Sequence, residues 1–322
     1  MVLILTDQFD AHADVVVNKL RQKNIPHFRF NLDVESLQTT KITFHSGSWA
    51  VNQRNSCVCS DCISCVWCRR PFVELSLQEQ QIDDIDFRIW KNEWNKTLLG
   101  LYNTLKGLPW LNPLRKAYKG ENKYFQMQLA QEIGFLVPET IISNDKRCLA
   151  EFVKKYNGAL LKLMSQEIYT IGENEVRGFY TNRITEEDLF RFGGAEENPI
   201  VLQRYIDKLY EVRYTVVGKY HFVCRIDSQD SEQAKHDWRR YDIPHTPHVA
   251  IVPPPDIQNK VTRFLNELSL EFGALDFIVS PTGEWFFLEI NCMGQWLWIE
   301  QLTGLAISDA VVEWIINQIN EH

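Results

Sequence analysis

The sequence predicts an α/β protein in which a parallel sheet opens the chain and an antiparallel hairpin lies near its end. A strand–helix–strand pattern occupies residues 2–5, 10–23 and 27–30, and this order is typical of a parallel sheet covered by helices. Apolar runs at residues 274–279 and 285–291 flank the turn residues SPTGE, as in a β-hairpin. With 322 residues and 45% hydrophobic content, the chain is long enough to bury a sizeable core.

Charge and hydropathy exclude several classes of function. The net charge of −8 and the pI near 5.6 argue against non-specific nucleic-acid binding, which needs a basic surface. No stretch approaches 18 consecutive apolar residues, so we expect no membrane span. The first residues form a short apolar run without a positive flank before it, which indicates a buried strand and not a signal peptide. We therefore expect a cytoplasmic protein.

The first strand is followed by TDQFDAHAD, which lacks the glycines of a phosphate-binding loop. A dinucleotide-binding domain is therefore disfavoured. Further along, residues 78–105 predict a long helical stretch, and LPWLNP at residues 108–113 ends it. We place the first domain boundary at Leu114.

Cysteines cluster between the second strand and this helix. Five of the eight cysteines lie close together in the sequence, namely Cys57, Cys59, Cys62, Cys65 and Cys68. In a cytoplasmic chain such clustering indicates a metal before a disulfide, and two CxxC pairs would supply four thiolates to zinc. The alternative is a buried strand at residues 63–67, which puts Cys65 and Cys68 on opposite faces. We favour the strand, and a structural zinc or redox role stays open.

Four cationic side chains occupy positions at which an anionic ligand could bind. Arg69 and Arg70 end a predicted strand and either present guanidinium groups to an anionic ligand or form a solvated strand end. Lys123 stands at the start of an amphipathic helix, residues 124–133. Lys162 lies inside the apolar strand of residues 159–164, where an ammonium group is unfavourable unless it meets an anion.

The hairpin near the end of the chain carries oxygen ligands. Glu289 and Asn291 are two residues apart and so point to one face of their strand, and Asp276 lies on the opposite strand. Carboxylate and amide oxygens without Cys or His suit a hard cation such as Mg²⁺. The alternative is that these polar groups face solvent, but their apolar neighbours predict burial. Those neighbours are Phe286, Phe287, Leu288 and Ile290.

An ordered set of motifs runs along nearly the whole chain. It comprises WCRRP at 67–71, WLNP at 110–113, NK at 122–123, GFLVPETIISND at 134–145, LLKLMSQ at 160–166, YEVRYTVVG at 210–218, RIDSQ at 225–229, DWR at 237–239 and FLEINCMGQWLW at 287–298. On these motifs the chain resembles the ATP-grasp carboxylate–amine or alcohol ligases, and within them the graspetide (microviridin-type) peptide macrocyclases. Two residues depart from that pattern: Cys68 replaces an aromatic residue before Arg69, and Cys292 replaces the usual proline after Asn291.

The resemblance implies an ATP-grasp fold with an N-terminal α/β domain at residues 1–114, a central lid subdomain at 115–202 and a C-terminal sheet subdomain at 203–322. It also implies residue roles. Lys123 and Lys162 would hold phosphates, Gln203, Tyr205 and Ile206 would line the adenine site, Asp276, Glu289 and Asn291 would bind Mg²⁺, and Arg213 and Arg239 would stabilise the transferred phosphoryl group. The lid candidate is a hairpin within residues 164–185 that turns at Gly172–Asn174.

The resemblance further implies a reaction, its cofactors and its partners. With ATP and Mg²⁺, the enzyme would activate Asp or Glu side-chain carboxylates of a ribosomal precursor peptide, made of leader and core, as acyl phosphates. Attack by Thr, Ser or Lys would then give an ω-ester or ω-amide ring. We also expect a homodimer. Two alternatives stay open: a ligase that adds free amino acids, and a non-enzymatic thiolate–metal protein.

Overall fold

The computed structural model describes residues 1–164, 168–171, 175–178, 182–191, 197–230 and 246–321. The helices are α1 (Ala11–Gln22), α2 (Val34–Gln38), α3 (Ile85–Thr104), α4 (Leu114–Glu121), α5 (Lys123–Ile133), α6 (Lys146–Lys155), α7 (Glu186–Arg191), α8 (Pro255–Leu268), α9 (Leu297–Thr303) and α10 (Ile307–Glu321). Short 3₁₀ turns lie at Ser60–Cys62, Glu79–Gln81 and Ser228–Asp230.

In the described ranges the strands form five sheets. They are β1 (Val2–Thr6), β2 (His27–Asn31), β3 (Lys41–His45), β4 (Ser48–Gln53), β5 (Ser56–Cys59), β6 (Cys65–Cys68), β7 (Trp110–Leu111), β8 (Thr140–Ser143), β9 (Ala159–Lys162), β10 (Ile168–Ile171), β11 (Glu175–Gly178), β12 (Asn182–Ile184), β13 (Ile200–Gln203), β14 (Tyr210–Val217), β15 (Tyr220–Ile226), β16 (His248–Ala250), β17 (Phe272–Val279) and β18 (Trp285–Asn291).

The chain opens with a parallel sheet, as its strand–helix–strand pattern predicts. The strand order is β2-β1-β6-β7, and β1 pairs in parallel with both β2 and β6. Asp10 caps α1, because its side chain accepts a hydrogen bond from the backbone N–H of His12. The predicted helix at residues 78–105 is shorter in the structure: α3 begins at Ile85, where Asp84 caps it.

The cysteine-rich segment forms part of an antiparallel sheet, β3-β4-β5, and the buried strand β6. Cys65 packs in one hydrophobic core and Cys68 in another, which confirms that they lie on opposite faces. Burial raises the pKa of both thiols to about 12, so neither is a thiolate at neutral pH. Cys59 and Cys62 form a disulfide. In the described part of the chain, no three His, Cys, Asp or Glu side chains come together as a metal site, so nothing there supports zinc at the cysteines.

The C-terminal half contains an antiparallel five-stranded sheet, β16-β15-β14-β17-β18. The predicted hairpin is confirmed as β17 and β18, with Asp276 directly opposite Glu289 and a bulge after Asp276. Phe287 and Ile290 are buried as expected, but the expectation for Phe286 and Leu288 was wrong, since both are only partly buried. The reason is that β18 is the edge strand of the sheet, and the bulge changes which side chains face the core.

A further sheet, β12-β9-β13-β8, lies in the sequence between the N-terminal sheets and the C-terminal sheet. The hairpin β10–β11 falls between its strands β9 and β12 in the sequence. This hairpin coincides with the candidate lid, although its turn at Gly172–Asn174 lies outside the described residues. Arg239 also lies outside them. No helix in the described ranges is long and apolar enough to cross a membrane.

The hydrophobic cores cross the proposed domain boundaries. Val2 and Ile4 share a core with Phe272 and Trp296 from the C-terminal sheet region. The helices α4 and α5 pack into a second core with the opposite face of the C-terminal sheet, and residues of α6, α7 and the central sheet form a separate core. The boundaries at residues 114 and 202 stay a prediction.

Asn112, within the WLNP motif, joins the N-terminal region to the C-terminal sheet. Its side chain is 1% exposed. The Nδ2 group donates to the carbonyls of Phe272 (2.7 Å) and Cys292 (2.9 Å), and Oδ1 accepts from the backbone N–H groups of Glu271 (2.9 Å) and Phe272 (3.0 Å). One buried amide therefore satisfies backbone groups at the start of β17 and just after β18.

We predict that Asn112→Ala lowers the free energy of unfolding by about 3 kcal/mol, because it leaves buried backbone groups without partners. The measurement is urea unfolding followed by circular dichroism. Asn266→Ala, at an exposed position of α8, is the matched control and should change stability by less than about 0.5 kcal/mol. Equal effects of the two substitutions would contradict the assigned role of Asn112.

Candidate active site

A row of charged side chains crosses three adjacent strands of the C-terminal sheet. Arg213 on β14 lies directly opposite Asp276 on β17, and Asp276 lies directly opposite Glu289 on β18. Residues that face each other across strands project to the same side of the sheet. Asn291 lies two residues beyond Glu289 on that face, and Glu211 lies two residues before Arg213. The shared faces predicted for both pairs are confirmed.

Each carboxylate of the row is paired with a cation. Arg213 Nη1 lies 2.9 Å from Oδ1 and 2.8 Å from Oδ2 of Asp276, and the side chains are 7% and 9% exposed. Lys123 Nζ lies 2.9 Å from Glu289 Oε2, with both side chains 13% exposed. The two ion pairs balance the charge of the row, which is necessary because unpaired charges are strongly disfavoured at this degree of burial.

The helix boundary that the sequence predicts at Asn122 positions Lys123. The side chain of Asn122 caps α5 by accepting from the backbone N–H of Phe125, and Gly134 ends the helix with a φ of +93°, where glycine is favoured. Gln126, Leu129, Ala130 and Ile133 form the buried side of α5. The packing of this face against the sheet places the first residue of the helix beside Glu289.

The outer edge of β18 is capped by side chains and by a loop carbonyl. Gln126 Oε1 accepts from the backbone N–H of Ile290 (2.8 Å), and Glu121 Oε1 accepts from that of Cys292 (2.8 Å). The carbonyl of Leu136 accepts from the N–H of Phe287 (2.8 Å). Burial raises the pKa of Glu121, although its bonds to the N–H groups of Cys292 and Met293 oppose this shift. These contacts fix the strand that carries Glu289 and Asn291.

The loop after β18 connects the row to the N-terminal sheet. Arg69 Nη1 donates to the carbonyls of Met293 (2.8 Å) and Gly294 (3.0 Å), and its guanidinium lies 4.9 Å from the ring centre of Trp296. Arg213 Nη2 donates to the carbonyl of Gln295 (3.2 Å). The loop is thus held between two arginines from two different sheets.

Arg69 is itself neutralised at the end of the parallel sheet. Its Nε lies 3.1 Å from Asp10 Oδ2, and both side chains are buried. Burial alone would raise the pKa of Asp10, but the charge of Arg69 and a hydrogen bond from Thr6 outweigh it and bring the pKa to about 2. Burial, reinforced by the charge of Arg69, lowers the pKa of His12 to about 3, so His12 is neutral at pH 7. Arg69 is therefore a structural cation.

The candidate nucleotide residues lie on the central sheet and the segment after it. Lys162 on β9 faces Val201 on the neighbouring strand β13, which ends at Gln203. Gln203 Nε2 donates to Thr140 Oγ1 (3.0 Å), the ring of Tyr205 lies 5.5 Å from the guanidinium of Arg183, and Ile206 is buried. After them, Lys208 and Glu211 form a buried ion pair.

The structure thus brings Lys123, Arg213, Asp276, Glu289 and Asn291 together on one sheet face, and it places Lys162 and Gln203 on neighbouring strands of the central sheet. Residues that the sequence reasoning missed are the ones that hold this set in place, namely Arg69 in its structural role, Asn112, Glu121 and Gln126. Arg69 lies in the WCRRP motif and Asn112 in the WLNP motif, so the sequence carries a signal for these two. No local signal identifies Glu121 and Gln126, because their partners are about 170 positions away.

The donor set fits a magnesium ion. Two carboxylates and one amide oxygen on a single sheet face are the hard ligands that Mg²⁺ prefers, and Mg²⁺ needs only one or two carboxylates when phosphates complete its shell. Each carboxylate has about four lone-pair positions. Pairing with Arg213 or Lys123 therefore does not exhaust the capacity of Asp276 or Glu289 to bind a metal.

Comparison with known proteins agrees with this geometry. Residues 1–118 match the family model of the MvdD pre-ATP grasp domain. No significant relative was found among curated proteins. Three solved structures match along nearly the whole chain, each covering 98% of it.

The first of these structures is a ribosomal-peptide-associated (RiPP-associated) ATP-grasp ligase of Chryseobacterium gregarium in complex with ADP and a leader and core peptide. It is 27% identical, with a TM-score of 0.88 and 96% of that chain covered. The macrocyclase MdnC of Microcystis aeruginosa, bound with the precursor peptide MdnA, is 27% identical with a TM-score of 0.86 and 99% covered. The macrocyclase MdnB of the same organism is 28% identical with a TM-score of 0.80 and 98% covered.

The fold and the matching structures together show an ATP-grasp ligase, and the chain is an enzyme of that class. Within the class it is similar to the peptide macrocyclases, which confirms the resemblance found in the sequence motifs.

Gly294 allows the site loop to approach the charged row closely. A Cβ atom at this position would lie 2.7 Å from Ala274 Cβ, 3.0 Å from Arg213 Nη2 and 3.1 Å from Asn291 Cβ. We predict that Gly294→Ala lowers the free energy of unfolding by about 1–3 kcal/mol through this overpacking. Chemical denaturation measures the change. Gly100→Ala is the control, since a Cβ there meets nothing within 4 Å and should stabilise α3 by about 0.5–1 kcal/mol.

Proposed function

We propose that this enzyme closes rings in a ribosomally made precursor peptide. It activates Asp or Glu side-chain carboxylates with ATP as acyl phosphates and joins them to Thr or Ser as ω-esters, or to Lys as ω-amides, with release of ADP and phosphate. The observation that carries the proposal is similarity over 98% of the chain to two ATP-grasp ligases crystallised with their peptides, one of them with ADP as well.

The charged row supplies what this chemistry requires. A carboxylate reacts poorly with nucleophiles because its leaving group would be oxide, and phosphorylation provides a better one. Phosphoryl transfer spreads negative charge over the transferred oxygens, so catalysis depends on positioning and on neutralisation by cations. In the proposed assignment, Lys123 and Lys162 hold phosphates, and Arg213 and Arg239 stabilise the transferred group. Gln203, Tyr205 and Ile206 line the adenine site.

Bound Mg²⁺ would neutralise phosphate charge and would be held by Asp276, Glu289 and Asn291. Lys123 and Arg213 already contact the two carboxylates of this set. The same row therefore positions both the cationic side chains and the metal ligands that would bind phosphate.

The peptide partner enters this proposal from the macrocyclase complexes. Its leader docks outside the ATP cleft, with the β10–β11 hairpin as the lid. We further propose a homodimer and cytoplasmic localisation. Two alternative functions stay open. A ligase that adds free amino acids to a peptide or protein would consume ATP with a free amino acid as the second substrate, and would form no ring. A purely thiolate–metal protein is disfavoured, since the fold is that of an enzyme.

The metal assignment predicts that Glu289→Gln and Asn291→Ala each slow ATP-dependent ring formation by about 100-fold or more, because a ligand oxygen or its charge is lost. Mass spectrometry of the precursor measures the loss of water per ring. Glu284→Gln, in the exposed turn of the same hairpin, is the matched control and should retain wild-type activity. Wild-type rates in both site variants would show that these residues bind no catalytic metal.

The phosphate role of Lys162 predicts weaker nucleotide binding. Lys162→Ala should raise the Kd for ATP about tenfold, which corresponds to about 1.4 kcal/mol, because one partly buried ammonium group is lost. Isothermal titration calorimetry provides the measurement. Lys155→Ala serves as control, since Lys155 lies on the same subdomain but is exposed. If both variants bind ATP equally well, Lys162 does not contact the phosphates.

The cysteine cluster is dispensable for chemistry in this proposal. The triple substitution Cys57→Ser, Cys59→Ser and Cys62→Ser should leave the ring-forming rate unchanged, because these cysteines lie on β5 and the turn after it and not on the strands that carry the charged row. Ring formation and bound zinc are measured on the same samples. Loss of activity together with loss of zinc would revive the thiolate–metal hypothesis.

A further inference from the structure

The backbone N–H groups on both sides of Asn291 are bound by side chains from outside the sheet. β18 pairs with β17 on one side only, so N–H groups on its other side need partners from elsewhere. The N–H of Ile290 donates to Gln126 Oε1 (2.8 Å), and the N–H of Cys292 donates to Glu121 Oε1 (2.8 Å). The candidate metal ligand Asn291 therefore lies between two anchored N–H groups.

Glu121 binds more than one backbone group of the loop after β18. Its carboxylate also accepts from the N–H of Met293, so one side chain takes the first two N–H groups of the loop. The carbonyl of Cys292 accepts from Asn112 Nδ2 (2.9 Å), and Cys292 is 1% exposed. Side chains thus satisfy both polar backbone groups of the residue that follows Asn291.

Glu121 and Gln126 belong to one short segment that also carries Lys123. Gln126 Nε2 donates to the backbone carbonyl of Glu121 (3.2 Å), which links the two side chains that hold the strand. Between them, Lys123 Nζ lies 2.9 Å from Glu289 Oε2. Residues 121–126 therefore contact the strand of the metal ligands at positions 289, 290 and 292.

Gly120 allows this segment to lie so close to the loop. A Cβ atom at Gly120 would lie 2.9 Å from Cys292 Sγ and 3.2 Å from Leu270 Cδ1. A residue with a side chain would push the end of α4 away from the loop. The absence of a side chain at this position therefore keeps Glu121 within hydrogen-bonding distance of Cys292.

The cysteine at position 292 supplies a donor that a proline lacks. Cys292 stands where the resemblance found in the sequence motifs leads us to expect proline, and proline has no backbone N–H. A proline would restrain the backbone after Asn291 through its ring. In this chain the hydrogen bond from Cys292 to Glu121 provides the restraint.

We propose that Glu121 and Gln126 are positioning residues for the magnesium site. They hold the backbone on both sides of Asn291, so that its side-chain oxygen stays on the sheet face that carries Glu289. The inference rests on the metal assignment of the proposed function and extends it to residues that do not touch the metal. Replacing a group that orients a metal ligand through hydrogen bonds typically lowers metal affinity by about 10–100-fold.

A different explanation is that Glu121 acts through its charge. Burial raises the pKa of Glu121, the charge of Glu289 adds to this shift, and that of Lys123 opposes it, so Glu121 is within electrostatic reach of the row. Two substitutions separate charge from hydrogen bonding. Glu121→Gln keeps an acceptor oxygen and removes the charge, whereas Glu121→Met keeps an unbranched side chain and removes both.

The deciding experiment measures binding of Mn²⁺, which takes the same oxygen ligands as Mg²⁺, by electron paramagnetic resonance in the presence of ADP. Glu121→Met and Gln126→Met should each raise the Kd for Mn²⁺ about 10–100-fold, and Glu121→Gln should stay within about threefold of the wild type. Glu132→Met, at an exposed position of α5, is the matched control and should keep the wild-type Kd.

A double-mutant cycle tests whether Glu121 acts through Asn291. Asn291→Ala alone should raise the Kd for Mn²⁺, because a ligand oxygen is lost. Adding Glu121→Met should then raise it by less than about twofold more, since no ligand is left to position. Fully additive effects would show that Glu121 acts independently of Asn291 and would overturn its assigned role.

The Mg²⁺ dependence of ADP release distinguishes positioning from stability. A merely structural loss lowers kcat at an unchanged half-saturating Mg²⁺ concentration. Loss of positioning raises that concentration about 10–100-fold, and excess Mg²⁺ restores the rate. Thermal unfolding shows which variants are folded, and Gln126→Met decides the question if Glu121→Met does not fold.

The remaining outcomes separate this inference from the proposed reaction. Folded Met variants with the wild-type Kd, or a Glu121→Gln variant as weak as Glu121→Met, would overturn the positioning role. A wild-type enzyme that binds no Mn²⁺ with ADP overturns it together with the metal assignment. If the wild type binds Mn²⁺ with ADP but closes no ring in a precursor peptide, the macrocyclase function fails while the positioning role stands.

Discussion

The ion pair between Arg213 and Asp276 is the interaction on which the candidate active site depends. It joins the two central strands of the C-terminal sheet, β14 and β17, at a position where both side chains are at least nine-tenths buried. Removing one partner of such a pair strands a buried charge, at a cost of about 3–5 kcal/mol. The pair therefore enforces one register, because a slip by one residue would turn either charge toward the hydrophobic core on the other face.

The same register organises the neighbouring groups. With Asp276 fixed, Glu289 lies opposite it and Lys123 completes the row from the start of α5. On the other side, Arg213 reaches the loop after β18, and Arg69 from the parallel sheet holds the same loop. A shared core that includes Val2, Phe272 and Trp296 joins these two sheets. The N-terminal domain thus acts as a support for the site and not as a separate module.

Much of this arrangement is predictable from the sequence, and the exceptions have physical causes. The strand–turn–strand pattern predicts the hairpin, and the period of two along a strand predicts the shared face of Glu289 and Asn291. Asn122 and Gly134 predict the two ends of α5. These predictions succeed because each depends only on residues close together in the sequence. The contacts of Glu121, Gln126 and Asn112 are not recognisable in advance, because each side chain meets backbone groups far away in the sequence. The partial exposure of Phe286 and Leu288 follows from sheet order and a bulge, which periodicity does not encode.

Arg69 and Arg70, in the WCRRP motif, also show that a sequence pattern does not reveal which partner a side chain meets in the fold. The sequence permits both to bind an anion, yet the fold buries Arg69 against Asp10 and the site loop and leaves Arg70 partly exposed beside Asp7 and Glu74. Only the contacts in the folded structure distinguish the buried, structural Arg69 from the partly exposed Arg70. Adjacent residues on a strand point in opposite directions, so a pair of arginines at a strand end is suited to this division of roles.

The charge balance of the row explains how one set of side chains suits both a nucleotide and a metal. Arg213, Asp276, Glu289 and Lys123 are neutral as a set, so each charge of this row is compensated by the protein alone. Phosphate groups offer new acceptors to the two cations, and a divalent cation offers a new partner to the two carboxylates. Because a nucleotide phosphate and Mg²⁺ bring opposite charges, an exchange of partners keeps the buried charges compensated. The ion pairs within the chain thus hold the side chains where phosphate and Mg²⁺ would need them. Because these side chains lose their water when the protein folds, little further desolvation is needed when the ligands bind.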